Sequence, residues 1–196
     1  MVVRKDVKWI RRGKQKRIVL QVATHPMTPT EIMKKSQEIN PKITFGDTST
    51  LVKEFRKRGI IECLTPDQPT GRIYSVTNYG IRLVRLAFAV DIIPLQETIN
   101  WNKYSRLKAG KTRQIILNDI YKHRGNFPDG INLTSIRKKL RETYPLTLSQ
   151  TFCSVQALLT DKLIKIAGHA KKYNSKLYKL TKEGLQLCKY IESISE

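Results

Sequence analysis

A unit of roughly 100 residues occurs twice in this chain. Tyr74-Ser75-Val76-Thr77-Asn78-Tyr79-Gly80 returns as Tyr178-Lys179-Leu180-Thr181-Lys182-Glu183-Gly184, with the shared pattern Y-x-V/L-T-x-x-G. Upstream, Gly59-Ile60-Ile61 pairs with Lys162-Leu163-Ile164, and Thr28-Pro29-Thr30-Glu31-Ile32 with Asn132-Leu133-Thr134-Ser135-Ile136. Gly13 to Leu20 pairs with Gly110 to Leu117. The one large change of register, by seven residues, falls in the turn-rich stretch Arg124 to Gly130, where an insertion costs little. Four matches in one order imply two homologous domains, residues 1–98 and 99–196, meeting near Asp91 to Asn102.

Each copy carries the same sequence of signals. Ile18, Val19 and Val22, and in the second copy Ile115, Ile116 and Ile120, form one apolar stripe of a first helix. A second helix starts at Thr28-Pro29-Thr30-Glu31, where Thr28 can cap, Pro29 suits the first turn and Glu31 closes a capping box. Asn132 and Ser135 hold those places in copy two. Third helices are predicted over Asp47 to Arg58 and Ser149 to Asp161. Two hairpins follow, Ile60 to Leu64 with Ile73 to Val76, and Leu163 to Ala167 with Lys176 to Leu180. A last helix, capped by Thr77 or Asn78 and by Thr181, closes each copy.

The fold class is therefore mainly α with small β-hairpins, in two tandem winged helix-turn-helix domains. The stretch Thr48 to Gly80, with L-V-x-x-F-x-x-x-G-I-I followed by Y-x-V-T-x-x-G, resembles winged-helix transcription regulators of the broad MarR/ArsR/PadR-like class. The resemblance extends over both copies, and its Y-x-L/V-T-x-x-G element is typical of prokaryotic, especially archaeal, members. It implies DNA binding but names no regulon.

Charge points the same way. The 196 residues include 37 Lys+Arg against 16 Asp+Glu, a formal net charge of +21, which calls for a polyanionic partner. Residues 1–100 carry 18 basic and 9 acidic side chains, and residues 101–196 carry 19 and 7, so neither copy is a neutral passenger. An apolar run such as Leu86 to Val90 is far short of a membrane span, and the basic N-terminus lacks the apolar core of a signal peptide. A cytoplasmic, nucleoid-associated location is expected. Cys63, Cys153 and Cys188 lie far apart with no CxxC spacing and are read as small packed residues.

In a helix-turn-helix the second helix of the motif enters the major groove. In copy one that is the predicted helix Asp47 to Arg58, with Leu51, Val52 and Phe55 buried and Thr48 near the edge. The opposite face carries Ser49, Thr50, Lys53 and Lys57. Ser49, Thr50 and Lys53 can reach base edges, while Arg56 and Lys57 suit phosphate. In copy two the same helix has no charge, and Phe152, Cys153 and Gln156 replace Ser49, Thr50 and Lys53. Gln150 and Gln156 are candidate base readers there; Phe152 either touches a thymine methyl or turns inward or onto the other domain. Copy two is basic elsewhere: at Arg137, Lys138, Lys139 and Arg141 on the second helix, and at Lys171, Lys172 and Lys176 in or beside the wing, around Tyr173. Arg72 is the wing candidate of copy one. The expected division has copy one reading bases and copy two gripping the backbone.

Both copies begin with a basic lead-in. Arg11, Arg12, Lys14, Lys16 and Arg17 follow Arg4, Lys5 and Lys8 in one; Lys103, Arg106, Lys108, Lys111 and Arg113 serve in the other. Each lead-in is read as an arm on the backbone or in a minor groove, with Trp9 either part of it or its anchor, and Trp101 an anchor. The last helix of copy one, 78–93, is apolar almost all round, which demands either the other domain or a second copy of the chain against it.

No catalytic pattern is present. His25, His123 and His169 lack HxxxH or HExxH spacing and read as ordinary polar surface residues; the carboxylates are scattered, and no phosphate loop occurs. The chain is read as a non-enzyme with no cofactor and no metal. Its expected role is a sequence-specific regulator of transcription on double-stranded DNA, with the transcription machinery a further partner. The alternatives are a plasmid- or virus-type replication initiator and an architectural nucleic-acid-binding protein.

Overall fold

The computed structural model of the chain describes residues 2–88, 99–141, 143–170 and 175–194. It divides into two compact units, Met1–Glu97 and Thr98–Glu196. Both are mainly helical with a small antiparallel sheet, and their element order is consistent with winged-helix elements.

Unit 1 contains α1 (Val2–Arg11), α2 (Lys14–Val22), α3 (Pro29–Ile39), α4 (Phe45–Lys57), β1 (Ile61–Cys63), β2 (Tyr74–Val76) and α5 (Asn78–Phe88). The cap of α3 forms as its sequence requires: the Glu31 N–H donates to Thr28 Oγ1 at 3.2 Å, and the Thr28 N–H donates to Glu31 Oε2 at 2.9 Å. A second box, Thr44 with Asp47, starts α4 two residues earlier than predicted. Leu51, Val52 and Phe55 of α4 meet Val19, Leu20, Ile32, Leu83 and Val84 in one apolar core. Burying a side chain such as Phe55 contributes about 1.5–3 kcal/mol.

Unit 2 contains α6 (Trp101–Lys108), α7 (Lys111–Lys122), β3 (Ile131–Asn132), α8 (Leu133–Leu140), α9 (Leu148–Thr160), β4 (Ile164–His169), β5 (Lys176–Leu180) and α10 (Lys182–Ser193). Its sheet has three strands in the order β3-β5-β4, all antiparallel, with a register shift between Ile166 and Gly168. The short strand β3, unforeseen from sequence, pairs Ile131 with Tyr178. Unit 1 has only a single bridge at the corresponding place, Met27 to Tyr74.

The repeated T-x-x-G element has one structural job in both units. Thr77 Oγ1 accepts from the Gly80 N–H at 3.0 Å and donates to the Gly59 carbonyl at 2.7 Å. Thr181 Oγ1 accepts from the Gly184 N–H at 3.1 Å and donates to the Lys162 carbonyl at 2.7 Å. One hydroxyl thus caps the closing helix and ties it to the start of the hairpin. The glycine follows from the closeness of that packing: a Cβ on Gly80 would strike the Ile60 carbonyl, and one on Gly184 the Leu163 carbonyl.

Two expectations are corrected. The lead-ins are helices, not extended arms. Val3, Val7 and Ile10 recur at helical spacing in α1, and Ile10 is fully buried; Tyr104 and Leu107 are buried in α6. Second, part of the apolar circumference of α5 is covered within unit 1 over 78–88. Tyr79, Ile81 and Phe88 pack on the core together with Val7 and Trp9 of α1, and Leu86 is exposed. The rest of the stretch to residue 93, with Ala89, Val90, Ile92 and Ile93, lies outside the described residues.

Candidate nucleic-acid interface

The outward face of α4 is set by its inward one. Because Leu51, Val52 and Phe55 are buried, Thr50, Lys53, Arg56 and Lys57 are exposed and Ser49 is half-buried. Thr48 is fully buried rather than marginal, and its hydroxyl donates to the Thr44 carbonyl at 3.1 Å. Among the described residues Lys53, Arg56 and Lys57 form no ion pair, so their charges are uncompensated. Arg58 differs: its Nη1 lies 2.8 Å from Asp6 Oδ1. At the other end of α4, hydrogen bonds from the Thr44 N–H and hydroxyl hold the Asp47 carboxyl below the usual carboxylate range. A fixed negative charge therefore occupies the N-terminus of α4, and the attraction for polyanions sits on its middle and C-terminal turns.

The basic residues of α1, α2 and the turn between them divide. Arg12, Lys14 and Arg17 are exposed. Arg11 is exposed too, but its Nη2 donates to the Leu86 carbonyl at 3.1 Å. Lys16 Nζ stands 4.0 Å from the centroid of the Trp9 ring, as does Arg58 Cζ, and Trp9 meets Phe55 edge-on at 5.7 Å. Trp9 is the anchor of its helix. In the wing loop Arg72 is exposed, and its Nε donates to the Gln68 carbonyl at 2.9 Å.

Unit 2 presents a different surface. In α9, Thr151 and Val155 are buried, while Leu148 and Phe152 are 53% and 51% exposed. Phe152 thus does not turn inward. Cys153 is exposed and Cys63 half-buried, so only Cys188 is a packed cysteine. Burial pushes the Cys188 thiol up to about 12. Gln150 closes a capping box, its Oε1 accepting from the Thr147 N–H at 2.9 Å, which leaves its amide nitrogen for other work. Gln156 is half-buried. Where α4 has Asp47, α9 has this neutral Gln150, so its N-terminus carries no repelling charge.

The other basic candidates of unit 2 are scattered. Lys138 and Lys176 are exposed and Arg137 is half-buried. Lys139 Nζ lies 4.6 Å from the Phe127 ring centroid. The lead-in bases are partly internal: Lys103 pairs with Glu183, and Arg106 Nε lies 2.7 Å from Asp161 Oδ1. Trp101 packs edge-on against Tyr104 and Tyr190, as an anchor should. Lys171, Lys172 and Tyr173 lie outside the described residues. His25 and His123 are half-buried, not surface residues; His123 Nδ1 is 3.1 Å from Asp119 Oδ1.

Among the described residues no cluster of three or more His, Cys, Asp or Glu side chains could hold a metal, and no helix is long and apolar enough to cross a membrane.

No protein-family model matches the chain, and no curated protein matches it significantly. Among solved structures it is similar to the crystal structure of Bacillus subtilis PadR in complex with operator DNA, at 12% identity over 92% of this chain and 98% of that one. The TM-score is 0.31, too low to transfer anything from that protein to this one.

Proposed function

We propose that the chain is a sequence-specific regulator of transcription that grips double-stranded DNA with two tandem winged-helix domains. The observation that carries this reading is the outward face of α4: Thr50, Lys53, Arg56 and Lys57 exposed along one side of a rigidly capped helix, their charges uncompensated. A hydroxyl and a lysine on such a face suit base edges, and the two further cations suit flanking phosphates. The exposed bases Lys14 and Arg17 belong to a helix packed against the same core, and Arg12 to the short turn that leads into it, so they act as fixed phosphate contacts rather than a trailing arm.

In unit 2, α9 offers a neutral face with Phe152 outward, suited to one small apolar base contact, while Arg137, Lys138 and Lys176 supply backbone grip. Selection from a random duplex pool tests this directly. A consensus should emerge, and affinity for it should fall about 10³–10⁵-fold between ~50 and ~200 mM salt if some 6–10 phosphates are contacted. Recovery of no consensus, with binding indifferent to salt, would rule the reading out.

A further inference from the structure

Each third helix opens on a large apolar side chain that faces water. Phe45 directly follows the capping Thr44 in α4 and is 52% exposed. Leu148 directly follows the capping Thr147 in α9 and is 53% exposed. The two positions match across the repeat. Neither belongs to the buried stripe of its helix, which is Thr48, Leu51, Val52 and Phe55 in α4 and Thr151, Val155 and Leu158 in α9. A single exposed apolar side chain is ordinary. The line in which these two stand is not.

Phe45, Ser49 and Lys53 are spaced i, i+4, i+8 and so run along one edge of α4. Leu148, Phe152 and Gln156 repeat that line on α9, with Phe152 also exposed. In unit 1 the exposed cations Lys53 and Arg56 lie on the same edge, so its occupant is a polyanion. Duplex DNA offers one apolar group in its major groove, the C5 methyl of thymine, which 5-methylcytosine also carries. Asp47 points to the same place. Its Oδ2 accepts from the Thr44 N–H at 2.9 Å, which fixes a carboxylate two residues from Phe45. Phosphate repels a carboxylate, so the opening turn of α4 suits base edges rather than the backbone. The residue between is glycine, Gly46, and its match in α9 is the small Ser149, so both helix ends can approach a groove floor closely.

We propose that the two lines read the C5 methyl groups of major-groove pyrimidines, one methyl through Phe45 in unit 1 and two through Leu148 and Phe152 in unit 2. This rests on the duplex-DNA reading and adds to it the chemical feature that is recognised. Unit 2, whose line is apolar at two places of three, depends on methyl groups more than unit 1 does.

The test uses the full-length chain and two random duplex pools, one with thymine and one with deoxyuridine in its place, which differ only in the C5 methyl. Affinity for the site selected from the thymine pool is then measured with single thymines replaced by deoxyuridine. Loss of a contacted methyl should weaken binding about fourfold, the worth of one buried carbon. Phe45→Ala should erase that difference at one position and leave it elsewhere, and Leu148→Ala and Phe152→Ala should each erase it at another. All three are exposed helix positions where alanine is well tolerated, and far-ultraviolet circular dichroism reports that each variant is folded. At each contacted position cytosine and 5-methylcytosine, both opposite guanine, are also compared. A preference for 5-methylcytosine means that either methylated pyrimidine is read; a response to thymine alone makes thymine the source. Equal affinity for the thymine and deoxyuridine forms at every position overturns the proposal and leaves the DNA reading standing. So does an equal weakening of both forms by all three variants. No selected site from either pool overturns both readings together.

Discussion

Asp6 and Lys103 stand at the same place in the two units, each seven residues before the glycine that opens the next helix, and they carry opposite charges. Asp6 Oδ2 accepts from the Tyr79 hydroxyl at 2.6 Å, whereas Lys103 pairs with Glu183. Tyr79 and Glu183 are themselves matched, both at the second residue after the capping threonine. The duplicated fold therefore keeps a tie between its leading and closing helices while exchanging the chemistry that makes it. The end of the third helix shows the same exchange. Arg58 caps α4 and bonds Asp6, and Asp161 caps α9 and bonds Arg106.

Asp6 is 5% exposed and serves two partners at once, Arg58 at 2.8 Å and Tyr79. Asp6→Ala leaves Arg58 with an unpaired charge and Tyr79 with an unmet donor. Breaking a buried ion pair costs about 3–5 kcal/mol, but Arg58 is 41% exposed, so about 1–3 kcal/mol is expected. Trp9, stacked near Arg58, reports the loss. Urea unfolding followed by Trp9 fluorescence in a Trp101→Phe background checks it; an unchanged midpoint would mean the tie is idle.

The same tie sets a pH limit. Burial, and then the hydrogen bond to Asp6, push the Tyr79 hydroxyl up to about 12. A tyrosine whose folded pKa exceeds its unfolded value of about 10 stabilises the fold fully below pH 10. That contribution is lost as the pH rises from about 10 through 12. Phenolate absorbance should show one tyrosine titrating near pH 12, missing in Tyr79→Phe, and that variant should lack the corresponding part of the alkaline destabilisation.

Gly80 and Gly184 should be intolerant of even one carbon. Gly80→Ala drives a Cβ into the Ile60 carbonyl, and Gly184→Ala drives one into the Leu163 carbonyl, both backbone atoms with nowhere to turn. Overpacking of this kind costs about 1–3 kcal/mol and sometimes more. The two variants should lower stability by similar amounts, since the duplicated element does the same work twice. Thermal unfolding of both, side by side, is the check.

The residue after each third helix offers the converse case. Gly59 has φ +68, and Lys162, its match, has φ +55 in a region that costs an L-residue with a side chain about 1–2 kcal/mol. Lys162→Gly should therefore stabilise unit 2 by roughly 0.5–1 kcal/mol, the net after glycine's greater unfolded-state entropy. A lowered denaturation midpoint would show that the lysine side chain has a compensating role.

Signals that are local were legible in the sequence. Thr28 with Glu31, Thr77 with Gly80 and the alternation of capping and apolar residues each act within one or two turns, so the pattern and the geometry coincide. The leading helices were not legible as core elements. Their stripe is thin, Val3, Val7 and Ile10 among four Lys and Arg residues in α1, and a basic segment of that kind reads as an arm. What makes α1 part of the core is contact with residues 52 and 73 positions away, Arg58 and Tyr79, which no local pattern announces. The outward face of α4 was legible because helical geometry fixes it once the apolar stripe is known. The outward Phe152 was not, since an aromatic in an uncharged helix gives no hint of its direction.

The two third helices should contribute unequally to recognition. Lys53 is exposed on α4 with its charge unpaired, whereas Gln156 is half-buried on α9. A lysine to guanine contact is part of a set whose good members discriminate by about 1–3 kcal/mol. Lys53→Ala should therefore relax preference at one position of the selected site by about that amount. Gln156→Ala should change it far less. Lys138→Ala, in a residue assigned to phosphate, should weaken binding to all sequences evenly and lower the salt slope by about 1. Competition binding against single-base variants of the selected site, at two salt concentrations, separates these effects. Equal relaxation by Lys53→Ala and Gln156→Ala would overturn the unequal division, and a base-specific loss in Lys138→Ala would move that residue from the backbone to the groove.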